Sequence, residues 1–483
     1  MNHCSTVEER VYMVSQMLAK TDHGLVTQLS RMYGVSRQTL YRWTATGAQA
    51  LEAALGSSLL TKKPTPLPAL VLTLLIETHA SYREIQVCLK NMHGIDLSLG
   101  RIAGIVKEAG QQAQKWLDHQ QASTPRALAL DEQYGSQRGK AYLNVIDVHS
   151  GQVWATVPPV AVDGDSWTLL LWYVQEQGIT SSCTVSDGGL AMAEALSQTQ
   201  GETNHQRDVW HLFQFAARVQ GHLDRAVQAE QTCLPAIKRQ EERRAKGTRS
   251  RGRPAKATMV EQEAKLAHLS YVADAARYLS QELHSLLEVV VVQSDRLLTT
   301  QQRQEEIEAL LELLDELVPL ASSQTQGQIQ KLAKHIRLAL PQALLFARLL
   351  DQWQEQASSA LDPSAVALLG WAWLRRAVLG PTSLHLLQSV NPAWRAVAAD
   401  LLMAWDQAVR ASSAVENWHS ILRPHLAVHR KLSAGMLALL AVWHNHRIAP
   451  RGLHEGLSPL QRTGSISSDH HWLAALGYSP LAA

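Results

Sequence analysis

The stretch Ala127-Leu128-Ala129-Leu130-Asp131-Glu132-Gln133-Tyr134-Gly135 decides the fold. An apolar run that reaches a carboxylate and breaks at a glycine reads as a buried strand presenting an acid at its carboxyl end. Asp131 is therefore expected at the rim of a sheet. Directly after it, residues 140–148 (KAYLNVIDV) read as a second strand, His149-Ser150-Gly151 as a tight turn, and residues 152–157 (QVWATV) as a third strand. The expected arrangement is three consecutive antiparallel strands with an acid on the first.

Working outward, residues 165–174 read as the first helix on this sheet, capped by Asp165 or Ser166. Residues 183–189 read as a short strand that ends in Asp187, with Gly188 and Gly189 turning the backbone closely into the next helix. A further strand over 206–210 leads into His211 and another helix. Much later, residues 412–424 (SSAVENWHSILRP) form a Ser-capped helix that Pro424 ends or kinks. Glu416 lies one turn in, with Asn417, His419 and Ser420 able to line the same cleft or its edge. Val415, Trp418 and Leu422 recur at three- and four-residue spacing and give this helix a buried face.

Three antiparallel strands opening with an acid resemble the start of a ribonuclease-H-like fold. An aspartate on the first strand, an aspartate after a later strand and a glutamate on a late helix together resemble the signature of DDE-type bacterial insertion-sequence transposases. The short first gap and long second gap resemble hAT and Mutator types, whose core is interrupted by a helical domain. The resemblance covers about 126–465 and implies that Asp131, Asp187 and Glu416 are both the catalytic residues and the metal ligands. The implied cofactor is Mg²⁺ (or Mn²⁺), two ions about 3.5–4 Å apart that serve in-line displacement at a phosphodiester. Hard cations take carboxylate oxygens and keep several waters, so three acids suffice without histidine or thiolate. Competing acids are Glu132, expected to point away along the strand, and Asp147, expected to face solvent. Asp208 with His211, one helical turn on, resembles the aspartate-x-x-histidine spot of related transposases. Asp208, His211, Asn417 and His419 are read as second-layer or DNA-contacting groups.

The flanks fit a DNA-binding protein. Residues 25–43 have the shape of a helix-turn-helix: Gly34 takes the turn, Val35 packs inward, and Ser36 caps a helix carrying Arg37, Gln38 and Arg42, which suit phosphates and base edges. The alternative is a helical hairpin with solvated charges. After a linker with three prolines, residues 61–68, a second unit at 67–120 repeats helix, Gly94 turn and Ser-capped helix with Arg101. Such a pair resembles the bipartite end-binding region of many bacterial transposases. Residues 218–405 are helical in pattern, with no strand alternation. Leu286, Leu287, Val290, Val291, Ile307, Leu310, Leu311, Leu313, Leu314 and Leu317 supply their apolar stripe. Within this span, 238–256 is a basic loop, expected to be mobile when free of DNA. Its Arg251-Gly252-Arg253-Pro254 resembles an AT-hook core, and Arg249, Arg251 and Arg253 are candidate contacts to a narrow minor groove or simply to phosphates. Residues 451–460 resemble the tail that follows the catalytic helix of many insertion-sequence transposases.

Composition sets the bounds. At 483 residues the chain exceeds one hydrophobic core. With 45 Lys plus Arg against 43 Asp plus Glu, only the distribution of charge can mark a nucleic-acid partner. Four cysteines without a CxxC pair indicate neither a zinc knuckle nor a disulfide framework. No run of about 18 apolar residues occurs, so neither membrane insertion nor secretion is expected, and a cytoplasmic, nucleoid-associated bacterial protein is the expectation.

The expected architecture is multidomain α and α/β. It comprises helix-turn-helix units at 1–60 and 67–120 and a ribonuclease-H-like mixed-sheet core at 126–217 and 406–483, interrupted by the all-α insertion 218–405. The resemblance implies a transposase that binds terminal inverted repeats and target DNA as a homodimer or higher oligomer and cleaves and joins strands. The alternatives are a domesticated, non-catalytic DNA-binding relative and a structure-selective nuclease on the same fold.

Overall fold

The computed structural model describes residues 6–19, 24–55, 66–120, 124–199, 205–247, 258–379, 392–451, 454–466 and 470–480. They divide into two compact units, one holding the described residues up to Thr78 and from Gly477 on, the other His79–Leu476.

In the first unit, α1 (Val7–Ala19), α2 (Leu25–Tyr33) and α3 (Arg37–Leu55) bury Met13, Leu29, Val35 and Leu40 between them. Gly34 closes α2 in the left-handed conformation at φ 63°, and the Ser36 hydroxyl accepts from the Thr39 amide at 3.1 Å. Helix, glycine turn and Ser36-headed helix follow one another here, with Arg37, Gln38 and Arg42 exposed on α3. Helix α4 (Leu67–Glu77) follows Pro66.

The second unit begins with α5 (Tyr82–His93), opened by a reciprocal capping box of Ser81 and Glu84 and closed by Gly94, and α6 (Leu99–Asp118), capped by Ser98. These two helices do not form a separate domain with α4, as the reading of 67–120 expects. Ile102, Ile105, Val106 and Ala109 of α6 are buried, and Gly110 lies against the helix Ala434–His446. A Cβ added at Gly110 would sit 2.8 Å from the Gly435 Cα, so the two backbones touch. Arg101 remains exposed.

Strand β1 (Ala127–Tyr134) pairs antiparallel with β2 (Lys140–Asp147), which pairs with β3 (Val153–Thr156) and with the short β4 (Val160–Ala161). On its other side β1 runs parallel to β5 (Cys183–Ser186), and β5 runs parallel to β6 (His205–Arg207), giving the order β3-β2-β1-β5-β6. Alternation assigns the faces. Leu128, Leu130 and Leu143 share a core with α7 (Gly164–Glu176) and α8 (Leu190–Thr199). The cap of α7 is Asp163, which accepts from the Ser166 amide at 2.9 Å, so Asp165 and Ser166 lie inside the first turn instead of before it. The opposite face carries Tyr142 and Asn144 under the late helix Ser413–Val428 and the helix Ala434–His446. There the Tyr142 hydroxyl accepts from the Leu432 amide at 3.0 Å. Asn445 fastens β3, accepting from the Val153 amide (2.8 Å) and donating to its carbonyl (3.0 Å).

Helix α9 (Val209–Ala245) starts in this core and runs on for 37 residues, so the boundary expected at 217/218 falls inside one continuous helix. Residues 206–210 are not all strand: β6 ends at Arg207, and Asp208 is the N-cap of α9. The first part of the basic segment, through Ala245, is the end of α9; Arg249, Arg251 and Arg253 lie outside the described residues. Helix α10 (Met259–Leu286) packs back on α9, and helices follow through Pro392–Asp406. One hairpin, β7 (Val292–Gln293) with β8 (Arg296–Leu297), interrupts what the pattern reads as wholly helical. Leu313, assigned to the apolar stripe, is 48% exposed, while Leu310, Leu311, Leu314 and Leu317 around it are buried. Buried Arg303 donates to the carbonyls of Glu288 (2.5 Å) and Val289 (3.0 Å), holding the bend after α10. Among the described residues no helix is long and apolar enough to cross a membrane.

Candidate active site

The parallel register of β1 and β5 brings the two aspartates near enough to act on one another electrostatically. Ala129 pairs with Val185 across the parallel β1/β5 ladder, and Asp131 and Asp187 each stand two residues further along. Asp131 is still within β1, whereas Asp187 lies one residue past the end of β5. Strand β1 does not end at its acid: β5 stops pairing at Ala129, whereas β2 pairs on as far as Tyr134. Asp131 marks the end of the parallel half of the strand. Beyond Asp187, Gly188 adopts φ 70°, and a Cβ there would lie 1.7 Å from the Arg207 Nη1, which itself donates to the Gly188 carbonyl at 2.7 Å. The positive φ favours glycine at that corner. Asp187 accepts from the Gly189 amide at 2.8 Å.

The third acid comes from the late helix. Val415, Trp418 and Leu422 are fully buried against the sheet, which brings Glu416 and His419 over β1. The helix continues through Pro424 to Val428, so the proline neither ends it nor sets its length; buried Leu422 and His425 on the packed face outweigh the lost backbone bond. Ligand-type atoms of Asp131, Glu416 and His419 all lie within 4.8 Å of one another. Asp187 stands outside that group of three but acts on Asp131 electrostatically.

Burial pushes the Asp131 carboxyl up to about 8, and the neighbouring charges of Glu132, Asp187 and Glu416 add to the rise against one opposing backbone bond from the Glu132 amide. Glu132 points to the other face, accepting from the Trp167 indole at 3.2 Å, and its carboxyl is raised by burial and then by Asp187. Asp131 and Glu416 lie together on one face with Asp187 nearby, and Arg423 is bound to Glu416 at 2.9 Å. The ring of His419 is 2% exposed and held neutral by burial, which pushes it down to about 4.

The remaining expected residues sit elsewhere. Asp208 is buried, accepting from the Trp210 amide (2.7 Å) and from the Ser412 amide (2.9 Å) and hydroxyl (2.5 Å). That carboxylate is occupied in joining the start of α9 to the start of the late helix. His211 lies 4.0 Å from Asp208, stacked edge-on to Trp210, and belongs to no group of three metal-type side chains among the described residues. Asn417 is exposed. The residue that sequence reading passed over is Asn144, fully buried opposite Asp131 in the β1/β2 register and bonded to Trp418, Thr156 and His419. A lone amide between Leu143 and Val145 in an apolar strand was the available signal. No protein-family model and no curated protein matches this chain.

Proposed function

We propose that the chain is a DDE-type DNA transposase with a ribonuclease-H-like core, acting on the terminal inverted repeats of its own element. The observation that carries this reading is the closeness of Asp131 on β1 to Glu416 on a helix beyond a long helical insertion, with Asp187, just past the neighbouring parallel strand, near enough to act on Asp131 electrostatically. The helix-turn-helix of α1 to α3, with its exposed Arg37, Gln38 and Arg42, supports double-stranded DNA as the partner.

The donor chemistry fits a hard divalent cation, Mg²⁺ or Mn²⁺. The acids are oxygen donors, and burial, with the neighbouring carboxylates adding to it, raises the Asp131 carboxyl to about 8, a rise that a bound cation would offset. Asp131 and Glu416 would hold one ion, with Asp187 beside them completing a two-ion set. Bound ions activate an attacking oxygen and stabilise the leaving oxygen of a phosphodiester. The protein's own part is positional: β1 holds Asp131, the loop after β5 holds Asp187, and the buried face of the late helix sets Glu416 beside Asp131. Paired ends call for a dimer or higher oligomer.

The test uses DNA carrying the inverted repeats that flank the coding sequence. Asp131→Asn, Asp187→Asn and Glu416→Gln should each abolish Mg²⁺-dependent strand cleavage while leaving end binding within a few-fold of wild type. Normal cleavage by any one variant removes that residue from the triad, and normal cleavage by all three removes the reading.

A further inference from the structure

A hydrogen-bonded chain fixes which ring nitrogen of His419 carries the proton. It starts at Trp418, whose indole N–H can only donate and gives its bond to Asn144 Oδ1 at 2.8 Å. The Thr156 hydroxyl donates to the same oxygen at 2.8 Å. With its oxygen held on that side, the two N–H groups of Nδ2 face the Tyr142 carbonyl (3.2 Å), the Asp131 carbonyl (3.4 Å) and His419 Nε2 (3.3 Å). Flipping the amide would set its oxygen against two carbonyl oxygens and its N–H groups against the indole N–H. The amide orientation is therefore determined, and an NH₂ that donates to Nε2 requires a lone pair there. The proton of the neutral ring sits on Nδ1, the nitrogen 3.8 Å from Asp131 Oδ2.

We infer that Trp418, Asn144 and His419 form a positioning relay that presents Nδ1–H to Asp131, so that His419 steadies a carboxylate ligand instead of binding the ion, and the site selects hard cations on oxygen ligands alone. This deepens, and rests on, the reading of the acids as a divalent-metal centre. By proximity alone, Asp131, Glu416 and His419 make a mixed nitrogen and oxygen set of the kind that suits Zn²⁺. Ligation needs a lone pair on Nδ1. Moving the proton to Nε2 to provide one would set N–H against N–H at Asn144, and the relay resists that.

Asn144→Asp tests the inference. Once ionised, the aspartate keeps one oxygen for Trp418 and Thr156, and the charge on the other draws the ring proton to Nε2 in spite of the two carbonyls beside it, freeing Nδ1, so both variants are compared on the alkaline side of the carboxyl titration. In the metal-free full-length chain labelled with ¹⁵N-histidine, long-range ¹H–¹⁵N spectra, assigned by the loss of one ring in His419→Asn, should show Nδ1–H in wild type and Nε2–H in Asn144→Asp. Displacement of Mn²⁺ by Zn²⁺, read from the Mn²⁺ EPR signal, should need at least about tenfold less Zn²⁺ in Asn144→Asp, within the range by which outer-layer partners tune metal affinity. Adding His419→Ala to that variant should abolish the gain. His419→Asn, which keeps an N–H near the Nδ1 position, should hold Mn²⁺ within a few-fold, while His419→Ala should lose roughly 10–100-fold. A wild-type ring protonated on Nε2, or an unchanged Zn²⁺ to Mn²⁺ preference in Asn144→Asp, overturns the relay. A wild type that binds Mn²⁺ with the expected preference yet cuts no end DNA supports the relay and overturns the transposase reading. One that cuts end DNA with Nε2 protonated does the reverse.

Discussion

Both the backbone amide and the hydroxyl of Ser412 donate to one carboxylate oxygen of Asp208, at 2.9 and 2.5 Å, although the two residues are 204 apart in sequence. This junction closes the helical insertion: Asp208 caps the helix that leaves the sheet, and Ser412 immediately precedes the helix that returns with Glu416.

Removing that carboxylate strands three donors, two of them backbone amides, in a buried site. An unpaired buried donor costs about 1–3 kcal/mol, so Asp208→Ala is expected to lower the unfolding free energy of the full chain by at least about 2 kcal/mol in urea titration, while Ser412→Ala costs less because its amide stays bound. If Asp208→Ala instead left stability intact and removed divalent-metal binding, Asp208 would be a ligand and not a clasp.

Metal binding should depend on pH through Asp131. Its folded carboxyl, raised to about 8 from an ordinary 3.8, stays neutral at pH 7, whereas the unfolded chain is ionised there. Asp131 therefore favours the metal-free fold at low pH, and that contribution falls away as pH rises from about 4 through 8. A cation binds the ionised form, so calorimetric Mn²⁺ affinity should climb by up to about tenfold per pH unit between 6 and 8 and then level off. In Asp131→Asn the slope should vanish; a slope that survives the substitution assigns the proton to another group.

On α3, Arg37, Gln38 and Arg42 are exposed. A good base-edge contact is worth about 1–3 kcal/mol of discrimination. Alanine at Arg37 or Gln38 in the full chain should cut the preference for terminal-repeat DNA over random duplex by that amount, with random-duplex binding nearly unchanged. Equal losses on both DNAs would reduce these residues to phosphate contacts.

His425 gives the fold an acid limit. Its ring is fully buried against His79 at 4.6 Å between centroids, and neither ring nitrogen has a hydrogen-bond partner among the described residues. Burial, then His79 and His429, pushes it down to about 3. The folded ring stays neutral while the unfolded one protonates below about 6.5, so its support is whole above pH 6.5 and is lost as pH falls toward 3. His425→Phe should flatten the acid limb of unfolding, gaining up to about 2 kcal/mol at pH 5 relative to its own change at pH 7.5. An acid limb identical to wild type would place the sensitivity in the other buried histidines.

The sequence by itself determined the local elements: the strand through Asp131, the glycine corner after Asp187, the Gly34 and Gly94 turns and the buried stripe of the late helix. Each of these depends on side-chain period or backbone freedom within a few residues. Asp131 and Glu416 become candidates for one site only through the resemblance that orders the three acids, and His419 only as an outer residue of the same helix. Only tertiary structure decided what those elements meet. The parallel β1/β5 ladder brought Asp131 and Asp187 within electrostatic reach of one another, and α6 packed onto the helix Ala434–His446. Asp208 became a clasp to Ser412, and Asn144 became the amide that orients His419. The physical reason is that a buried polar group takes whichever complementary partner the packed chain brings within about 3 Å. For Asp208 and Asn144 those partners lie hundreds of residues away, where no sequence period reaches.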